Sequence, residues 1–443
     1  MTLHGEQPEG AEWWSFDREL HAKNRRDWNK WAARALGVER RAELLGMRDG
    51  SGAPRFSEDE LTPHTEDEFA ALATAFENAS GARGAAAELP TPGDVCDFEK
   101  VAFNRAFIAR GLLFLDVVNL SGATFSSDAF LRGATFSDDA DLSGATFSGA
   151  ADFSGATFSG YAKLVSATFS GYAGLTGVTF SGDTDLAGAK FSRTHHAVFS
   201  RATFKGWTVF LNAELEGETS FANAAFEQHP PSFHGAKLNE GVAFHGVRWP
   251  DPPTVPAPPK QPLKDDEQKR VQREIARAKE AAQQHVYNYQ RLKQLMEGLK
   301  KHEDELNFFA MEMAAQGVVD GGWRSLRGAL SGLYGAVSDY GRSILRPSIL
   351  LLATVFLCFV FVAGSDECQG VASAVSCAPI RGGKALALSL TSALGFLPLK
   401  KEIFGDLSGL SPMAHIWMGI ETVLSFALLF LIGLALRNRF RMK

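Results

Sequence analysis

Residues 143–160 read SGATFSGAADFSGATFSG. By composition this is a flexible linker, but phenylalanine returns on a schedule that a linker has no reason to keep: Phe147, Phe153, Phe158. The beat runs on in both directions. Phe125, Phe136, Phe147, Phe158, Phe169, Phe180 and Phe191 stand 11 residues apart, and Leu131, Leu142, Phe153, Leu164, Leu175 and Leu186 form a second series at the same spacing. Steps between the two series alternate six and five. An α-helix cannot hold such a stripe, because five steps of about 100° carry a side chain well off its starting face. A plain strand fails as well, since an odd step moves successive large residues to opposite faces. A chain that turns a corner once per unit satisfies both spacings. The large residue and the small one two places before it (Ala134, Ala145, Ala156, Ala167) then point inward, and Ser, Thr, Gly and Asp take the corners.

Ala151-Asp152-Phe153-Ser154-Gly155 resembles the A-(D/N)-L-x-x unit of the pentapeptide-repeat family. That resemblance implies a right-handed quadrilateral β-helix with four units per coil. The extra residue in alternate units predicts coils of about 22 residues with a bulge at two of the four corners. It also predicts two structural phenylalanine ladders, Phe125-Phe147-Phe169-Phe191 on one side and Phe136-Phe158-Phe180 on the other. The register slips at SRTHHAVF and at EQHPPSF. His195 and His196 fall in the first slip, with no Cys or carboxylate at ligand spacing, and read as a corner loop rather than a metal site.

Charge narrows the function. The chain of 443 residues carries 45 Lys+Arg against 51 Asp+Glu, so no basic field marks a nucleic-acid binder. Some pentapeptide-repeat proteins imitate DNA, which requires a dense anionic stripe. From Glu99 to Pro250 there are 14 acidic and 11 basic residues, interspersed, with a net of −3; this is a solvated surface. Enzyme signatures are missing: no GxxxxGK[ST], no HExxH, no paired CxxC, no GxSxG with a placed His and Asp. The expectation is a protein that is not an enzyme and needs no cofactor or metal.

With the repeat as one of them, the chain divides into six regions. Residues 1–97 form a helical N-terminal region, with Trp13, Trp14, Trp28 and Trp31 in a small bundle and Thr65 capping TEDE; it is expected to cap the open end of the β-helix over residues 98–248. Prolines make 249–263 an extended linker. Residues 264–320 read as a helical hairpin, with Val271, Ile275, Ala278, Ala282, Tyr289, Leu292 and Leu299 on one stripe. That stripe is longer than one short partner helix covers, which leaves coiled-coil self-association and packing within the chain both open. Residues 321–343 place Trp323, Leu326, Leu330, Leu333 and Val337 on one face, as in an interfacial helix.

Residues 344–443 are the membrane domain. The runs at 347–364 and from His415 to Leu436 are each long enough to span. Arginines flank the start of the first and the end of the second, which predicts cytoplasmic termini in an inner (plasma) membrane. Cys368 and Cys377 then lie in the outer loop, where a disulfide is expected. Residues 385–409 hold an apolar stretch too short to cross, suited to a re-entrant loop.

Span, re-entrant segment, span resembles the two-span pore-loop ion channels, and the resemblance implies a homo-oligomer, a tetramer, around a central pore. Ala393-Leu394-Gly395-Phe396-Leu397 departs from the potassium filter TVGYG and keeps only its Gly-aromatic pair. Pore candidates are Ser389, Thr391, Ser392, Gly395, Phe396 and Glu421, the last a lone carboxylate inside the second span. The alternatives are a non-conducting, membrane-tethered scaffold presenting the β-helix to a cytoplasmic protein partner, and a stress or defence effector that depolarises the membrane.

Overall fold

The computed structural model describes residues 18–48, 52–81, 89, 91–255, 265–322, 325–369, 376–395 and 410–441. Two compact units divide the chain, Met1–Asp251 and Pro252–Lys443.

The first unit is a β-solenoid of about six turns. Two-residue strands from Cys96–Asp97 to Lys237–Leu238 stack into four parallel ladders. Register follows the sequence beat: Phe125 pairs with Phe147, Phe147 with Phe169, and Phe169 with Phe191. Between Thr124–Phe125 and Ala129–Phe130 the corner is Ser126-Ser127-Asp128. The next corner, Leu131-Arg132-Gly133-Ala134, is one residue longer. The longer corners turn through a residue at positive φ, Gly133 at +68° and its counterpart Gly144 at +65°. At the short corners the constraint is space: a Cβ on Gly171 would stand 2.3 Å from the Gly149 carbonyl oxygen one coil away. Corner aspartates serve the neighbouring coil, Asp128 accepting from the Ala150 amide (2.8 Å) and Asp139 from the Tyr161 amide (2.7 Å). The acidic residues of the repeat are therefore partly backbone acceptors.

The interior is a column of rings. Phe125, Phe147, Phe169 and Phe191 stack at centroid distances of 4.7–4.8 Å, and Phe136, Phe158 and Phe180 at 4.6–5.1 Å, all buried. Ala134, Ala145, Ala156 and Ala167 are fully buried between them. The slips change coil length without breaking the ladders. Thr184 pairs with Thr208 across the SRTHH insertion, and Glu214 with Lys237 across EQHPP.

Helix α1 (Arg18–Ala33) meets the first coil. The Asn29 side chain accepts from the Leu113 amide at 3.0 Å and donates to the Gly111 carbonyl at 3.2 Å, and Trp28 Nε1 donates to the Leu113 carbonyl at 2.8 Å. A side-chain amide thus completes the pairing that the edge strand Leu113–Phe114 lacks on its outer side. Helices α2 (Val38–Gly46) and α3 (Glu66–Gly81) follow, α3 opened by the reciprocal bonds of Thr65 and Glu68. At the far end Trp249 stacks on Phe226 at 5.4 Å. Trp13 and Trp14 lie outside the described residues.

The second unit is helical. Helices α4 (Asp265–Gly298) and α5 (His302–Val319) form a hairpin whose core holds Ala282, Val286, Tyr289, Leu292, Met296 and Phe308. Because α5 has 18 residues and α4 has 34, the stripe at Val271, Ile275 and Ala278 stays half-buried. Helix α6 (Leu326–Ser338) is capped by Ser325 and turns Leu326, Leu330 and Leu333 outward. After a turn at Asp339 come α7 (Leu345–Ala363), a strand pair (Asp366–Gln369 and Ser376–Pro379), α8 (Gly382–Ala393) and α9 (Pro412–Arg441).

Candidate functional site

Helices α7 and α9 are long and apolar enough to cross a membrane, with mean hydropathies of 2.3 and 2.2 over their most apolar stretches. Their side chains point mostly away from the protein: Leu352, Phe356, Val423, Phe426 and Phe430 are each more than 60% exposed. Soluble proteins seldom leave so continuous an apolar surface uncovered.

Between them sits α8, 12 residues long. Its buried residues are mostly small or polar, Ala385, Ser389, Thr391, Ser392 and Ala393 beside Leu388, whereas Leu386, Leu390 and Leu394 are exposed. Small residues let the backbones approach closely, and hydroxyls bond across the contact. Ser389 Oγ lies 2.7 Å from the Val355 carbonyl on α7 and 2.8 Å from Glu421 Oε1 on α9. One residue from each helix meets there, and both Ser389 and Glu421 are buried. A second tie lies one turn on, at the C-terminal end of α8, where Thr422 Oγ1 donates to the Ser392 carbonyl at 3.0 Å. Gly395 passes so close to Thr422 that a Cβ would stand 2.4 Å from Thr422 Cγ2. Cys358, Val362, Ile380, Leu388, Ala414 and Met418 surround the polar contacts with apolar packing.

Of the six pore candidates, Ser389, Ser392 and Glu421 meet in these buried helix contacts, while Thr391, also buried, bonds back to the Ala387 and Leu388 carbonyls of its own helix. Gly395 is exposed just beyond α8, and Phe396 lies outside the described residues, as do 397–409. Val355 and Thr422 were not anticipated. The first contributes only a backbone carbonyl, which no residue type signals; the second stands one place after Glu421 and was readable as a hydroxyl near the lone carboxylate. In the strand pair Cys368 stands directly opposite Cys377 in the antiparallel register.

Burial, aided by Arg110 and Arg25, pushes His21 down to about 4, and burial with Asp116 and Asp94 nearby pushes the Cys96 thiol up to about 11. His196 sits 3.2 Å from Glu218 on the solenoid surface. No His, Cys, Asp or Glu cluster suited to a metal occurs among the described residues.

The coil length, the four ladders and the stacked rings decide the nature of the first unit. These are pentapeptide repeats. A family model described as pentapeptide repeats (9 copies) matches residues 109–157 and 164–214. The chain shows no match to a curated protein or to a solved structure. The pentapeptide-repeat solenoid therefore carries the family likeness, and the helical unit is interpreted on its own chemistry.

Proposed function

We propose that the chain is a subunit of a two-span, pore-loop ion channel in the plasma membrane, with the pentapeptide-repeat solenoid and both termini in the cytoplasm. The observation that carries this reading is the clasped short helix. Helix α8 is too short to cross a bilayer, yet its polar face is bonded to both apolar helices. A short helix held from behind, with its C-terminal end leading to an exposed Gly395, has the form of a helix that sets a pore loop. Ser389, Ser392 and Glu421 then position the loop that begins at Gly395.

Backbone leaving a helix at membrane depth must be sheltered by protein or by a watery cavity. Residues 396–409, read as the returning limb of a re-entrant loop, therefore call for neighbouring copies, and the exposed Leu386, Leu390 and Leu394 supply a surface for them. Four copies are the expected number. The overhanging stripe of α4 gives the same copies a second, cytoplasmic contact. We also assign the solenoid the right-handed winding of its family, and the outer strand pair a Cys368–Cys377 disulfide, which its register supports.

Ion flux tests the reading. The purified protein in planar bilayers is expected to conduct, and its mass in detergent is expected to be that of a tetramer. A silent, monomeric protein would leave the scaffold reading. That alternative draws on the exposed Tyr161, Tyr172 and Trp207 of the solenoid, a rigid surface suited to a soluble protein partner.

A further inference from the structure

A cavity of about 330 Å³ opens where the α4–α5 hairpin, α6 and the arginine-bearing end of α9 meet. Lys293, Arg437, Tyr334 and Tyr340 bring two cationic groups and two phenols to its lining, which also includes His302 and the carboxylate of Glu305. Lys293 and the Glu305 carboxylate are both partly engaged already. Lys293 Nζ lies 2.5 Å from Glu312 and 5.5 Å above the Phe309 ring, and His302 Nδ1 lies 2.9 Å from Glu305. An ammonium has three protons and one carboxylate takes one, so Lys293 keeps donors for another acceptor. Arg437 has no ion pair among the described residues and is exposed.

The position of these groups adds to their chemistry. Arg437 directly follows the apolar run that ends at Leu436, and α6 beside it turns leucines outward. If α9 spans, the cavity lies at the depth where hydrocarbon gives way to headgroups on the cytoplasmic side. We propose that this cavity binds the phosphate of an anionic phospholipid headgroup, held by Arg437 and Lys293 with the phenols of Tyr334 and Tyr340 as further donors. The inference rests on the membrane reading for its lipid, but not for its phosphate. Such a ligand ties α4 of the hairpin to the end of the second span, so its presence would couple the cytoplasmic helices to the membrane helices.

The test uses the full-length protein in detergent, with native mass spectrometry counting retained phosphatidylglycerol and phosphatidylcholine. Wild type is expected to retain phosphatidylglycerol and not phosphatidylcholine. Arg437→Gln and Lys293→Gln are each expected to lower retention about fivefold, the effect of one interfacial charge, and Lys293→Arg to keep it. Lys293→Gln/Glu312→Gln removes the carboxylate that the single variant strands, and with helicity matched to wild type it should show the same loss. Arg439→Gln, outside the cavity, is the control and should change nothing. Wild-type retention in the Lys293 and Arg437 variants, or an equal loss in Arg439→Gln, would overturn the site in favour of general attraction to the basic tail. Glycerol 3-phosphate, added without lipid, separates the two sources of phosphate. If it binds with the same dependence on Lys293 and Arg437 while lipid is not retained, the lipid assignment is overturned. Retention of phosphatidylglycerol by a protein that conducts nothing would sink the channel and leave this site standing.

Discussion

Ser389 Oγ lies between two acceptors on two different helices, 2.7 Å from the Val355 carbonyl and 2.8 Å from Glu421 Oε1. A hydroxyl has one proton, so the trio closes completely only with a donor at position 421. A glutamine supplies that donor permanently in nearly the same shape. Glu421→Gln is therefore expected to match or exceed wild type in thermal stability in detergent, whereas Glu421→Val, which leaves Ser389 one partner short, loses about 1–3 kcal/mol. If the valine variant proves as stable as the glutamine one, the polar tie does not hold α8.

Just past the C-terminal end of α8 the constraint is steric. Gly395→Ala puts a methyl against Thr422 Cγ2, where a Cβ would stand 2.4 Å away. Overpacking of this kind costs about 1–3 kcal/mol, and here it displaces the start of the proposed pore loop. Thr422→Ser removes the offending Cγ2 and keeps the hydroxyl that reaches the Ser392 carbonyl. The pair Gly395→Ala/Thr422→Ser is expected to recover part of the stability that Gly395→Ala alone loses, because the Ser392 carbonyl and the hydroxyl at 422 still stand 3.0 Å from the new methyl. Absence of rescue in melting curves would place the cause elsewhere.

The solenoid was legible because its period is written in covalent spacing. Phe125 and Phe147 stack because the coil between them closes at the repeat spacing of the sequence, and nothing distant has to be known. The slips were legible for the same reason: SRTHH lengthens one coil, and the ladder from Thr184 to Thr208 absorbs it. The clasp was half legible. Glu421 announces itself as a lone carboxylate among apolar residues, but its relation to Ser389 is a tertiary fact, and the Val355 carbonyl belongs to a residue whose type carries no message. Asn29 illustrates the same limit. As a sequence position it is an unremarked residue of a charged helix, and only the fold sets it against the open edge of Leu113.

In the ring column, Phe158 stacks on Phe136 at 4.6 Å and on Phe180 at 5.1 Å. Neighbouring coils fix the ladder spacing, so the tube cannot collapse around a missing ring. Phe158→Ala is expected to cost about 3–5 kcal/mol, and Phe158→Leu clearly less, because leucine already occupies inward positions such as Leu164 and Leu175. Urea unfolding of the two variants gives the comparison. Equal losses would mean that ring stacking, rather than filled volume, carries the stability.

Cys96 begins the first described strand of the solenoid, paired with Val118. With the thiol pushed up to about 11 by burial and by Asp116 and Asp94, little thiolate exists at pH 8, and the thiolate is the reactive form. Iodoacetamide at pH 8 is expected to modify Cys96 more than tenfold more slowly in the native protein than in urea. Asp116→Asn should speed native labelling modestly, since Asp116 is a secondary cause after burial. Native labelling at the rate of the unfolded chain would contradict the burial.

His21 gives the N-terminal cap a pH dependence with a definite sign. Burial, then Arg110 and Arg25, push it from 6.5 down to about 4, so the docked imidazole stays neutral where a free one takes up a proton. An undocked α1 binds more protons than a docked one between those two values, and stability falls wherever the open state is the better proton acceptor. Docking of α1 is therefore complete in strength above pH 6.5, weakens as pH falls toward 4, and levels off below. The loss is about 2 kcal/mol after allowance for the partial exposure of the ring. Hydrogen exchange of the Trp28 and Asn29 amides, followed from pH 7.5 to 4.5 and corrected for intrinsic rates, should show protection dropping with acid. His21→Gln removes the titrating group, and protection in that variant should lose most of its slope over the same range. If the slope survives the substitution, another group, with His64 against Asp27 the nearest candidate at 3.7 Å, drives the opening.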